Sequence, residues 1–243
     1  MTYCVGMRIN RGLVFMSDTR TSAGVDNFSV SRKMFTWTVP GERKITIMTA
    51  GNLATTQAMI SLLEERSKSA EDRDPSILRE QTMFQVARLV GRTLKEVIVD
   101  SSEGEQLSQD QFSASVIVGG QIAGGKPTIF LVYPEGNFIE ITEDTPYFQI
   151  GETKYGKPIL VRTYDPDLSF DDALKLLLIS FDSTIKANLG VGLPFDVEVY
   201  DNDSFSSDRT KRIEATDEIF QSISEDWGKA LKEAFGQLPS YTI

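Results

Sequence analysis

The residue with the clearest catalytic potential is Thr2, which becomes the first residue of the chain once Met1 is removed. A free α-amino group has a pKa of about 7.7–8.0, so a large fraction of it is neutral at cellular pH and acts as a base. An N-terminal threonine therefore carries a hydroxyl nucleophile and a base in one residue. This is one of the few hydrolytic designs that need no histidine, and the sequence contains no histidine.

The composition excludes most other catalytic chemistries. Without histidine there is no Ser-His-Asp or Cys-His catalysis, no HExxH zinc site and no His-ligated haem. The one cysteine, Cys4, excludes an internal disulfide and a cysteine-cluster metal site. Because no histidine is present to activate its thiol, we interpret Cys4 as a small buried hydrophobic residue.

The charge and hydropathy of the chain limit its partners. With 25 basic and 35 acidic residues the net charge is −10, which disfavours nucleic-acid binding. No apolar stretch approaches the roughly 20 residues needed to cross a bilayer, and the N-terminus does not read as a signal peptide. We therefore expect a cytoplasmic protein that binds neither nucleic acid nor membrane, in agreement with its single thiol.

Two other motifs suggest ligand binding and fail on closer inspection. Residues 120–126 resemble a phosphate-binding loop, but Pro127 stands where a Ser or Thr is needed and a strand-like segment follows. Residues 201–204 resemble the start of a calcium loop, but Phe205 and Ser206 occupy a ligand position and the glycine position. We interpret the first motif as a hairpin loop and expect no metal and no cofactor.

A catalytic Thr2 needs a positive charge near its hydroxyl, a carboxylate to orient that charge, and backbone N–H groups for the oxyanion. Asp18 and Arg20 lie at the end of the second predicted strand, and Lys33 precedes the third. Gly51 lies where the fourth strand passes into a helix, a position that exposes N–H groups. Taken alone, each residue also fits a surface turn, a solvated cation or a bend.

The elements that must position these residues follow from hydrophobic periodicity. Predicted strands cover residues 3–9, 13–17, 35–39, 44–50, 113–118, 128–133, 137–141, 147–150, 195–200 and 212–214. Predicted helices cover residues 52–69, 82–100, 158–163, 173–187 and 217–235, with a loop at 19–31, a charged connector at 70–74 and a polar linker at 101–111. This clustering favours an α+β fold in which two antiparallel sheets stack between helix pairs, in one domain spanning residues 1–243.

The closing helix carries apolar residues four apart, at Ile219, Ile223, Trp227 and Leu231. Such a row fits either a core face or a subunit interface. We favour the core interpretation for these side chains.

Several short segments together resemble one known family. They are MTYCV at residues 1–5, SDTR at 17–20, RK at 32–33, AGNLA at 50–54, and the longer segments 150–158 and 187–196. In this combination the chain resembles proteasome β-type subunits, and more narrowly the bacterial group called Anbu, the ancestral β subunit. The resemblance spans nearly the whole chain.

The resemblance implies the four-layer αββα sandwich of N-terminal nucleophile hydrolases and a threonine-type peptidase working within a homo-oligomer. It implies that Thr2 is the nucleophile with its own amine as base, that Lys33 lowers the pKa of the hydroxyl, and that Asp18 holds Lys33. By the same resemblance the Gly51 N–H contributes to the oxyanion hole and Arg20 supports the loop. The implied substrate is a peptide or unfolded protein, and any unfoldase partner remains unidentified.

The chain departs from the family at the Ser, Asp and Ser that support the amine. Approximate alignment offers Glu152 or Thr153 for the first, Asn188 for the second and Val191 for the third. The start of the sequence resembles family members in which only Met1 is removed. Two alternatives stay open: a non-catalytic assembly subunit, which Asn188 and Val191 favour, and an amidase of the same class acting on a small metabolite.

Overall fold

The computed structural model describes residues 1–22, 28–68, 75–102, 109–206 and 208–242. The connector predicted at 70–74, residues 103–108 of the polar linker and residues 23–27 of the loop lie outside the described part.

Twelve strands and five α-helices make up the described chain. In chain order the strands are β1 (Tyr3–Ile9), β2 (Gly12–Asp18), β3 (Arg20–Ser22), β4 (Phe28–Val30), β5 (Met34–Val39), β6 (Arg43–Gly51), β7 (Ala114–Ile122), β8 (Thr128–Val132), β9 (Phe138–Glu140), β10 (Tyr147–Gly151), β11 (Phe195–Asp201) and β12 (Thr210–Ile213). The helices are α1 (Leu53–Ser67), α2 (Met83–Ser102), α3 (Lys157–Thr163), α4 (Phe170–Ala187) and α5 (Glu218–Gly236).

Two five-stranded antiparallel sheets form the centre of the fold. The first has the order β10-β1-β2-β11-β12, and the second has the order β5-β6-β7-β8-β9. A separate hairpin of β3 and β4 follows β2. All of these pairings are antiparallel, as the clustered order of elements predicts.

Alternation along the strands divides the core into three layers. On β1, Tyr3 and Val5 face the cluster beneath α3, α4 and α5, whereas Cys4 faces the cluster between the two sheets. A third cluster joins the second sheet to α1 and α2. Because successive side chains of a strand point to opposite faces, a strand that is apolar on both faces must be covered on both sides. This confirms the predicted stacking of two sheets between helices.

Cys4 is fully buried, which confirms its interpretation as a core residue. Burial raises the pKa of its thiol far above the ordinary value, so the thiolate is disfavoured. The residue therefore contributes packing between the sheets.

Several predicted boundaries are wrong, and one interpretation of burial is wrong in part. The loop predicted at 19–31 contains β3 and β4, and the strand predicted at 212–214 begins at Thr210 and ends at Ile213. Strand β7 continues to Ile122 instead of ending at residue 118, so the predicted hairpin loop begins only after it. Helix α4 begins at Phe170 because the Ser169 hydroxyl accepts the N–H of Asp172 and caps it. On α5, Ile223 packs against the core, but Ile219 and Leu231 are 66% and 50% exposed, so only part of the predicted row faces the core. In the described part of the chain, no helix is both long and apolar enough to span a membrane.

Candidate active site

A buried lysine–carboxylate pair lies at the point where β2 ends and β5 is about to begin. The Lys33 Nζ atom lies 2.7 Å from Asp18 Oδ1, and it also donates to the Arg20 carbonyl oxygen at 2.6 Å. Asp18 is fully buried and Lys33 is 5% exposed. A charged pair held this far from water interacts more strongly than one at the surface, so Asp18 holds the Lys33 ammonium firmly.

The backbone of the first strand fixes the Asp18 carboxylate. Its Oδ1 accepts the N–H of Tyr3 at 3.0 Å, and its Oδ2 accepts the N–H of Gly192 at 3.3 Å. Burial raises the pKa of Asp18, while the Lys33 ammonium and these two donors offset part of the rise. The carboxylate therefore joins the start of β1, the end of β2 and the loop before β11.

Thr2 lies directly beside this pair, at the start of β1. Its carbonyl oxygen accepts the N–H of Glu152 at 2.6 Å. The Lys33 Nζ atom lies 3.5 Å from the carbonyl oxygen of Met1, which belongs to the peptide bond between Met1 and Thr2. Gly151 has φ +84°, and a Cβ atom there would collide with the Thr2 carbonyl oxygen. A glycine at this position therefore lets β10 approach the threonine closely.

Gly51 ends β6 on the opposite side of the site. Two residues earlier, the Thr49 N–H donates to the Lys33 carbonyl oxygen at 3.0 Å. Along a strand, successive N–H groups point to opposite edges, so residues 49 and 51 point their N–H groups to the same edge. The Gly51 N–H therefore points to the edge of β6 that pairs with β5, at a level beyond the start of β5 at Met34. Asn52 then caps α1 by accepting the Thr55 N–H at 3.1 Å.

These elements enclose a cavity of about 360 Å³. Thr2, Lys33 and Gly51 line it together with Phe35, Leu53 and Gln57. A threonine, a lysine and a glycine at a strand end therefore line one space. The arrangement suits attack on a carbonyl whose oxygen becomes negative during the reaction.

Arg20 contacts the loop that the family resemblance assigns to it. Its Nη1 donates to the Leu189 carbonyl oxygen at 3.0 Å. The same loop carries the Gly192 N–H that binds Asp18. Arg20 and Asp18 therefore contact the same loop.

The predicted supporting residues separate into two groups. Glu152 is 9% exposed, and its Oε2 accepts the Asn188 amide at 2.9 Å while its Oε1 accepts the Lys154 N–H at 3.3 Å. The Asn188 Oδ1 accepts the N–H of Gly190 at 2.9 Å. Thr153 instead lines a separate cavity with Tyr147 and Lys157. Of the two residues offered for the first supporting position, Glu152 is the one joined to Asn188.

Sequence reasoning missed the backbone donors that hold Asp18 and the close approach at Gly151. The N–H groups of Tyr3 and Gly192 carry no side-chain signal, because every residue except proline has one. The glycine at the end of a predicted strand was the signal available at 151. What it packs against depends on pairing between β1 and β10, which are far apart in sequence.

Comparisons with known proteins identify the family of the chain. The model of the family described as proteasome subunit matches residues 2–199. The chain is 25% identical over 212 residues to the proteasome subunit beta 2 of Pyrobaculum calidifontis, a match that covers 85% of this chain and 92% of that protein.

Solved structures extend the match to the whole chain. One is Anbu (ancestral beta-subunit) from Yersinia bercovieri, with a TM-score of 0.92, 45% identity and coverage of 100% of this chain and 99% of that one. Another is the helical assembly of the Anbu complex from Pseudomonas aeruginosa, with a TM-score of 0.91, 42% identity and coverage of 99% and 98%. They confirm the resemblance seen in the sequence and the four-layer αββα sandwich of the N-terminal nucleophile type.

Proposed function

The chain belongs to the proteasome subunit family, and from this membership and the surroundings of Thr2 we propose that it is a threonine-type amide hydrolase. Its proposed substrates are peptides or unfolded protein, and the proposed working form is a homo-oligomer in the cytoplasm. Thr2, Lys33, Asp18 and Gly51 carry the chemistry. The observation that carries the proposal is the buried Lys33–Asp18 pair beside the peptide bond that precedes Thr2.

Removal of Met1 is the first requirement, because it converts the Thr2 amide nitrogen into a free amine. The amine then takes the proton of the Thr2 hydroxyl while Oγ attacks the carbonyl carbon of the scissile bond. The Gly51 N–H stabilises the oxygen that becomes negative. When the tetrahedral intermediate collapses, the C–N bond breaks, the leaving amine takes the proton, and the acyl group stays on Oγ as an ester. Water then attacks the ester while the amine accepts its proton. The bond between the acyl carbon and Oγ breaks, Oγ takes up that proton, and the carboxylic acid product leaves, which restores Thr2.

Lys33 supplies positive charge to this reaction without transferring atoms. Its ammonium favours the alkoxide-like form of the nearby hydroxyl, which lowers the pKa of that hydroxyl. Asp18 keeps the ammonium in place at 2.7 Å and is itself anchored by two backbone donors. Arg20 and the Glu152–Asn188 pair position the two loops on either side of the N-terminus.

The direct test is covalent labelling of Thr2 by a threonine-directed β-lactone or epoxyketone. Protein verified by intact mass to lack Met1 should gain one equivalent of the reagent, and Thr2→Ala should gain none. The matched control is Thr21→Ala, which removes another threonine lining the same cavity and should leave labelling intact. Absence of labelling on the verified mature protein would contradict the proposal.

One observation favours a second candidate, a non-catalytic assembly subunit with the same fold. Val191 is fully buried and has no polar group to offer the amine, and Asn188 brings no charge. The intact mass of protein purified from cells separates the candidates. Retention of Met1 favours the assembly subunit, because the Thr2 nitrogen then stays in a peptide bond. A substrate panel of peptides and small amides separates the peptidase from an amidase.

A further inference from the structure

The cavity beside Thr2 has a positively charged wall, although the chain as a whole is acidic. Two cationic side chains, Arg32 and Lys33, line the cavity, and none of the described residues that line it carries a carboxylate. The net charge of the chain is −10. The charge of this wall is therefore opposite in sign to that of the whole molecule.

The two cations of the cavity differ in how their charge is balanced. Lys33 is buried, and the Asp18 carboxylate compensates its charge at 2.7 Å. Arg32 is exposed, and none of the ion pairs between described residues includes it. The charge of the Arg32 guanidinium is therefore available to a ligand in the cavity.

The carboxylates on the next cavity leave this charge in place. Arg32 also borders a neighbouring cavity of about 350 Å³, which is lined by Asp196 and Glu64 among others. Asp196 accepts two hydrogen bonds from Arg212, at 2.7 and 2.9 Å. Glu64 is exposed on α1. Neither carboxylate forms an ion pair with Arg32.

The remaining wall of the cavity beside Thr2 suits an acidic side chain. Phe35 and Leu53 offer apolar contact to methylene groups, and Gln57 offers an amide donor. A carboxylate accepts hydrogen bonds from an amide and from a guanidinium, and the bond from the guanidinium is strengthened by charge. An ammonium group in the same place would meet a like charge.

We propose that this cavity selects substrates whose acyl residue is acidic, and that Arg32 sets the preference. The acyl residue is the one that supplies the carbonyl carbon attacked by Thr2. This inference rests on the proposed hydrolysis, because the acyl residue lies beside Thr2 only when its carbonyl is attacked there. The substrate class is therefore peptides or amides cleaved after Glu or Asp.

Arg32 acts on the side chain of the substrate and takes no part in the bond changes. Because Arg32 is exposed, its attraction for a carboxylate has the modest strength of a surface ion pair, which corresponds to a preference of about fivefold. High salt should weaken this preference, since the screening length falls to about 3 Å at 1 M. A preference that depended on shape alone would not respond to salt in this way.

The test uses three peptidyl epoxyketones that differ only in the side chain next to the reactive group, which is that of Glu, Gln or Lys. The measurement is the second-order rate constant of Thr2 labelling, followed by intact mass on protein verified to lack Met1. We expect the Glu reagent to label about fivefold faster than the Gln reagent, and the Lys reagent to label more slowly than both. The differences should shrink in 1 M NaCl.

Variants of Arg32 separate a charge effect from a loss of structure. Arg32→Lys should keep the order of the three reagents, Arg32→Gln should make their rates nearly equal, and Arg32→Glu should make the Lys reagent the fastest. The Gln reagent should label all of these variants at a rate close to that of the wild type. A merely structural defect would slow all three reagents together and would not reverse their order.

The matched controls are Arg11→Gln and Arg11→Glu. They change the net charge by the same amount, but Arg11 is exposed in the turn at the far end of β1, about 23 Å along the strand from Thr2. They should keep the preference of the wild type for the Glu reagent. Loss of the preference in these controls would show that the net charge of the chain, and not Arg32, sets it.

The outcomes separate this inference from the proposed function. Equal labelling by the three reagents in the wild type overturns the acidic preference, and so does a preference that Arg32→Gln leaves unchanged. Labelling by a β-lactone but by none of the three peptide reagents also overturns it, while leaving the proposed hydrolase intact. If the mature protein is labelled by neither kind of reagent, the proposed hydrolase is wrong and the preference is wrong with it.

Discussion

Replacing Lys33 by Met tests the site and the fold with one change. Methionine keeps most of the apolar stem but removes the charge, so Asp18 is left fully buried with only the N–H groups of Tyr3 and Gly192 as partners. Removing one member of a buried ion pair costs about 3–5 kcal/mol, because the remaining charge stays uncompensated. Since a domain is typically stable by about 5–15 kcal/mol, we expect the variant to fold with a clearly lower urea midpoint.

The effect on chemistry should be larger than the effect on folding. A unit charge about 4 Å from a developing alkoxide contributes about 4 kcal/mol at an effective dielectric constant of about 20. Because about 1.4 kcal/mol is a tenfold change in rate, we expect Lys33→Met to label Thr2 about a thousandfold more slowly. The assay is the pseudo-first-order rate of β-lactone labelling, followed by intact mass on protein verified to lack Met1.

The chain contains a matched control for this variant. Lys44 forms a second buried pair with Glu198 at 2.6 Å, with both side chains 1% exposed. Lys44 lies five residues before Thr49 on β6, about 17 Å along the strand. Lys44→Met should therefore lose similar stability but keep the wild-type labelling rate. Equal labelling rates in Lys33→Met and wild type would refute the role given to Lys33, whatever the stability data show.

Three further predictions address separate parts of the site. Because burial raises the pKa of Asp18, its carboxylate takes up a proton at a higher pH than an exposed carboxyl as the pH falls. As the pH is lowered, the labelling rate should therefore begin to fall at a higher pH than titration of an exposed carboxyl would give, and Asp18→Asn should remove this fall. If the labelling rate of Asp18→Asn still falls at acidic pH, the titrating group is not Asp18. In urea unfolding, Gly151→Ala should lower the free energy of unfolding by more than Gly124→Ala. Both glycines have φ near +80°, but only at position 151 would the new Cβ atom collide with the Thr2 carbonyl oxygen. Equal losses of stability in the two variants would mean that the backbone strain of a positive φ, about 1–2 kcal/mol, accounts for both. Cys4 should resist iodoacetamide at pH 8 in the native protein and react once unfolded, since burial raises the pKa of its thiol; rapid native alkylation would show that the space between the sheets opens.

The sequence predicted the strands and helices well where local patterning determines them. Alternating apolar residues predicted β1 with its observed bounds, Tyr3–Ile9. The prediction from the sequence was wrong for the end of β7, because the pattern of Gly119 and Gly120 is typical of a turn. Within the sheet, Gly119 is needed for packing, since a Cβ there would lie 2.6 Å from the ring of Phe15. That contact joins β7 to β2 across the sandwich, and no local pattern contains it.

The sequence allowed the candidate side chains of the site to be named, but not the hydrogen bonds around them. Thr2, Asp18 and Lys33 are recognisable by residue type and by their place at strand ends. The Glu152–Asn188 bond joins residues 36 apart and follows only from the packing of α4 against the first sheet. For the closing helix, periodicity identified an apolar face at Ile219 and Leu231, but periodicity does not indicate whether the same chain covers that face.

Among the residues that the structure describes, a lysine, a carboxylate and a threonine come together at two places in this sandwich. Comparing the two places shows what would make one of them catalytic. Lys44 and Glu198 form the second pair, and the Thr46 hydroxyl donates to Glu198 at 3.0 Å. Burial and ion pairing are therefore common to both sites, and a threonine lies close to each pair. Thr46 lies within β6, where its nitrogen belongs to a peptide bond and provides no base. Thr2 differs in one respect, because cleavage of a single bond turns its nitrogen into an amine next to its own hydroxyl. The chemistry proposed for this chain thus depends on the position of a threonine at the chain terminus, and a buried ion pair alone does not identify such a site.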